Sequence, residues 1–85
     1  MRRLFVGNLG EWVEKEDLYE LFSGYGWVVS AKVWFHVEAR QSRGFGFVVM
    51  ARNKDAAAAI EELDGSWWRG QRLRVSLARH QPDDD

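Results

Sequence analysis

Phe45 and Phe47 stand two residues apart in the run Arg43-Gly44-Phe45-Gly46-Phe47-Val48-Val49-Met50, and Phe5 stands in a second β-rich run, Leu4-Phe5-Val6-Gly7-Asn8-Leu9. Residues two apart on a strand share a face, so Phe45 and Phe47 point together, away from Gly46 and Val48. With Val48 and Met50 serving a core, these rings face water. Aromatic rings shown to water, with an arginine (Arg43) opening the same run, suit the stacking of unpaired nucleobases, because every base has a π-face. A one-residue shift of register would bury the rings and expose Leu4, Val6, Val48 and Met50 instead, which costs more.

The elements that would position these residues follow from periodicity. Arg3 to Gly7 reads as a strand, with Leu4 and Val6 inward and Arg3 and Phe5 outward. Glu14 to Ser23 fits an amphipathic helix with Leu18, Leu21 and Phe22 on one side and acids in the first turns, although Glu14 is a weak N-cap. Val28 to Phe35 is a second strand, with Ala31 and Val33 inward and Lys32 and Trp34 outward; 36–43 is a polar loop and 44–51 a third strand. Asn53 is placed to cap a second helix whose stripe is Ala56, Ala59, Ile60 and Leu63, closed by Gly65. Gln71 to Ala78 is the last strand, with Leu73, Val75 and Leu77 inward and Arg72, Arg74 and Ser76 outward. The order βαββαβ emerges without any motif.

The 43–50 run resembles the RNP1 signature of the RNA-recognition motif, matching seven of eight positions, and 4–9 resembles its partner RNP2 hexamer. The pair, in order and at the usual spacing, is far more specific than either alone. The resemblance spans about Arg3 to Arg79. It implies an α+β, ferredoxin-like βαββαβ sandwich: a four-stranded antiparallel sheet with two helices packed on one face. The domain is taken as 1–80, and the acidic 81–85 segment reads as a disordered tail. The resemblance also implies single-stranded RNA binding across the sheet. Phe5, Phe45 and Phe47 would stack on bases and sugars, and Arg43 would meet a phosphate. Arg3, Lys32, Trp34, Arg72 and Arg74 share the outward face, and Arg79 follows the last strand, where family members often extend the surface. Trp34 divides between stacking, covering the strand edge and packing under the 36–43 loop. Met50 departs from the signature's final aromatic, but by parity it concerns packing. Gly44 and Gly46 read either as keeping the sheet open to a base or as permitting close backbone approach.

The 85 residues make one small domain without cysteine, so neither a disulfide nor a thiolate zinc site holds it. No apolar stretch approaches the roughly 20 residues of a spanning helix. A soluble, intracellular monomer is the expectation, cytoplasmic ahead of nuclear. The net charge of −1 hides a strong asymmetry. Residues 10–26 and 53–65 hold nine acids against Lys15 and Lys54, whereas 1–9, 27–52 and 66–80 hold ten bases against Glu38. Sheet side positive, helix side negative is the arrangement this predicts.

Rival classes fit less well. Small acyl-phosphate hydrolases share the element order, but Gly7-Asn8-Leu9-Gly10 is followed by Glu11-Trp12 and not by a phosphate cradle and arginine. His36 and His80 have no visible catalytic partner, and copper chaperones of this topology need a CxxC. Neither catalysis nor a cofactor or metal is expected. The stronger rival is a protein-interaction domain using its acidic helical face and exposed tryptophans. The acidic first helix is present (Glu14, Glu16, Asp17, Glu20), but the R-x-F turn of such members is absent and the sheet aromatics are kept. A helix-side protein partner in addition to RNA stays open, as does single-stranded DNA, since stacking needs no 2′-hydroxyl. Trp68 is expected to bury; Trp12, Trp27 and Trp67 fall at wet positions, either as one protein-facing patch or as separate local covers.

Overall fold

Alternating apolar and polar residues along four segments build one sheet, and two short apolar stripes build the helices that cover it. The computed structural model describes residues 1–10, 12–35 and 44–78. Its elements are β1 (Arg2–Leu9), α1 (Lys15–Ser23), β2 (Val28–Phe35), β3 (Gly44–Met50), α2 (Asn53–Leu63), β4 (Trp67–Trp68), β5 (Gln71–Arg72) and β6 (Arg74–Leu77). The main sheet is antiparallel in the order β2-β3-β1-β6, so the two strands bearing the aromatic runs lie side by side at its centre. Both helices pack on one face: α1 on β2 and β3, α2 on β6, β1 and β3.

The core lies between these layers. Leu4, Val6 and Leu9 of β1, Val48 and Met50 of β3, Leu18 and Phe22 of α1, and Ala56, Ala59 and Leu63 of α2 are buried with Leu73 and Val75. The small side chains of Ala56 and Ala59 let α2 approach the sheet closely. Leu77 is a correction. Its parity is inward, but it stays 47% exposed because β6 is the sheet's edge strand.

Two irregularities reset the alternation. In β1 the register shifts between Val6 and Leu9, with Asn8 at φ 61, and this extra residue returns Leu9 to the core. In β2 it shifts between Val28 and Ser30, which buries Val28 and leaves Val29 42% exposed.

The caps also differ from expectation. Glu14 is the N-cap of α1, but Asp17 ties the end: its Oδ2 accepts the Glu14 N–H at 2.7 Å. Asn53 is the first residue of α2 and not its cap, a place taken by Arg52 without a side-chain bond. Beyond α2, Gly65 takes φ +82 as the chain turns back.

The predicted last strand is divided. Gln71–Arg72 pairs with Trp67–Trp68 in a separate two-stranded hairpin, and only Arg74–Leu77 joins the main sheet. Leu73 marks the break: its N–H donates to the Ser66 carbonyl, and its own carbonyl accepts from Gly65 N–H, both at 2.8 Å. Arg69 and Gly70, at φ 52 and 82, form a tight two-residue turn whose twist suits a hairpin.

Candidate nucleic-acid interface

No element covers the second face of the main sheet among the described residues. Phe5, Phe45, Phe47 and Val49 are half-buried there, and Trp34 is 43% exposed. Cross-strand pairing brings them together, with Phe47 opposite both Phe5 and Lys32, and Phe45 opposite Trp34. Cross-strand partners share a face, so these pairings make the residues one surface.

The rings form a connected cluster. Phe45 lies near-parallel to Trp34, with centroids 5.6 Å apart at 21°, and to Phe5 at 6.2 Å and 27°. Phe47 is edge-on to all three, at 5.8 Å from Phe5, 5.6 Å from Trp34 and 6.2 Å from Phe45. Offset-parallel and edge-on contacts are the favoured aromatic geometries, so the rings order one another while each stays partly exposed. The Arg3 guanidinium lies 5.9 Å from the Phe47 centroid. Arg3, Ser30, Lys32, Trp34, Phe47 and Val49 line a shallow depression of about 330 Å³, with Phe45 beside them.

Glycines underlie the cluster in two different ways. A Cβ on Gly7 would meet the Phe5 ring at 2.8 Å, so that glycine leaves the ring its place on the open face. Gly46 faces the other way. A Cβ there would collide with the Lys32 carbonyl oxygen and meet Leu18 Cδ1 at 3.0 Å. Close packing against the helix layer, and not openness to a base, is what Gly46 provides.

Lys32 and Arg74 are exposed on the open face, Arg74 opposite Gly7. Arg72 lies outside the main sheet, in the hairpin, with its guanidinium 5.3 Å from the Trp67 ring. Arg43 and Arg79 lie outside the described residues, as do Arg40, the 36–43 loop and the 81–85 tail. The charge asymmetry is narrower than the ten-base count suggests. Arg2 is paired with the inward Met50, and Arg69 bonds Asp17 of α1 at 3.1 Å, so neither serves the open face. Ser30 and Val49 belong to the depression but carry no sequence signal, being ordinary strand residues. Asn8 was equally silent; its Nδ2 donates to the Arg72 carbonyl at 2.7 Å and ties the hairpin to β1.

The tryptophans separate. Trp68 is half-buried against the core, while Trp12, Trp27 and Trp67 are 86%, 73% and 68% exposed. The Trp27 carbonyl accepts the N–H of Ala51, two residues before α2, and Trp67 follows the end of that helix. An 11-residue helix is about 16 Å long, so Trp27 and Trp67 do not form one patch.

The family model described as the RNA recognition motif matches residues 4–74, and the chain belongs to that family. The non-catalytic reading is carried by this membership. A solved structure of the RNA-binding protein PG1 superposes with a TM-score of 0.84 at 43% identity, covering 98% of this chain and 100% of that one. RbpA of Nostoc sp., named for RNA binding, is 41% identical over 94% of this chain and 78% of its own length. The chloroplastic 28 kDa ribonucleoprotein of Spinacia oleracea is 44% identical over 94% of this chain. The chain spans only 24% to 34% of that protein and of similar chloroplastic ribonucleoproteins from Nicotiana.

Proposed function

We propose that this domain binds a few unpaired RNA nucleotides across the open face of its sheet, by base stacking on Phe5, Phe45, Phe47 and Trp34 and by phosphate contacts from Arg3, Lys32 and Arg74. The observation that carries the reading is the four-ring cluster held half-open on a face that no element covers among the described residues. A protein normally buries that much aromatic surface, and here its core is filled from the other side. Membership of the RNA recognition motif family and the RNA-binding relatives support RNA as the ligand. Stacking is worth about 1–3 kcal/mol per base, so two or three stacked bases supply most of the affinity and the cations add a salt-sensitive part.

Arg43 and Arg79 belong to the proposal through the family resemblance alone. The domain is read as spanning 1–80 and acting as a monomer. An intracellular place agrees with the chloroplastic and cyanobacterial relatives. Amide chemical shifts recorded during titration with short single-stranded RNA test the reading. The largest changes are expected in β1, β2 and β3, with α1 and α2 nearly still; changes centred on the helices would contradict it.

A further inference from the structure

The open face continues past β6. Ser76, Arg74 and Arg72 alternate with buried Val75 and Leu73, so one side-chain alternation runs from the main sheet into the hairpin. The cross-strand partner of Arg72 there is Trp67, which therefore shares its side. The Arg72 guanidinium lies 5.3 Å from the Trp67 centroid, within cation–π reach, yet Trp67 stays 68% exposed.

The other side of the hairpin is clamped. Trp68 packs against the core, and Arg69 lies 4.8 Å from the Trp68 ring while bonding Asp17 at 3.1 Å. A second tie comes from Asn8, whose amide donates to the Arg72 carbonyl at 2.7 Å. Trp67 is thus an open indole on an anchored support, and its place needs no ligand to set it.

We propose that Trp67 and Arg72 form an additional nucleotide subsite, where a base of a strand running off the β6 edge stacks on the indole and its phosphate meets Arg72. The inference rests on the sheet reading above. Three features select an unpaired nucleotide: an indole face that accepts any base, positive charge from Arg72 and Arg74, and continuity with the aromatic row ending at Phe5. An apolar protein segment laid here would strip water from two guanidinium groups and give them no acceptor.

Binding to random-sequence single-stranded RNAs of about four nucleotides, the scale of the sheet alone, and of about eight separates the two sites. Trp67→Ala is expected to weaken binding of the longer RNA by roughly 5- to 30-fold and that of the shorter by less than about twofold. Trp67→Phe should restore most of the loss, and Trp27→Ala, at the far end of α2, should change neither. Equal losses on both lengths would make Trp67 a structural support and overturn the subsite. No loss on either length, with wild-type binding intact, would also overturn it and leave Trp67 to a protein contact. Failure of the wild type to bind both RNAs would remove the sheet reading and the subsite with it.

Discussion

Phe47 is edge-on to Phe5, Trp34 and Phe45 and lies beneath the Arg3 guanidinium. Replacing Phe45 or Phe47 by alanine is expected to weaken RNA binding by about 1–3 kcal/mol. Each should also lower stability by about 1 kcal/mol through lost ring contacts, so a urea melt must accompany each titration. Gly46→Ala should behave in the opposite way. The added methyl is directed at the Lys32 carbonyl and Leu18, beneath the sheet, so stability should fall by about 1–3 kcal/mol, measured by urea unfolding, before any direct effect on the open face. The aromatic residues were legible because period-two alternation and the need to bury Val48 and Met50 leave them only one side. Ser30, Val49 and Asn8 were not, since their places depend on which strand lies beside them and on a bulge that no residue type announces.

Asp17 joins two elements, accepting the Glu14 N–H at the start of α1 and bonding Arg69 of the hairpin. Asp17→Ala should cost about 1 kcal/mol, chiefly through the lost cap, whereas Arg69→Ala should cost only a few tenths, because that ion pair is partly exposed. Chemical denaturation of the two variants separates the contributions; equal losses would shift the weight to the hairpin contact. At this scale the helices and the first three strands were readable from apolar spacing. The last strand was not. Uniform alternation from Gln71 to Leu77 is compatible with either one strand or two, and the Leu73 break depends on hydrogen bonds to Gly65 and Ser66. The same dependence on distant partners hides bulges, and the β2 bulge is why Val29 faces water.

Across the whole molecule, charge is sorted between faces, with Lys32, Arg72 and Arg74 outward from the sheet side and acids concentrated on the helices. This sorting is what the proposed RNA binding needs despite a net charge of −1. Removing one phosphate contact from a single-stranded complex should reduce the slope of log affinity against log salt by about 0.7. Lys32→Ala and Arg74→Ala should each do so, while Glu61→Gln on α2 should leave the slope unchanged; titrations at several salt concentrations read this directly. The asymmetry itself was legible in the sequence once charge was counted by element, but counting overstated it, because Arg69 is spent on Asp17. The most direct test of the central claim is a fluorescence-anisotropy titration of labelled random single-stranded RNA, at fixed low salt, with wild type and a folded Phe45→Ala/Phe47→Ala variant. Binding by the wild type with a loss above about 1 kcal/mol in the variant is the predicted result. Equal affinity of the two proteins, or no binding by the wild type, would contradict the sheet as a stacking platform.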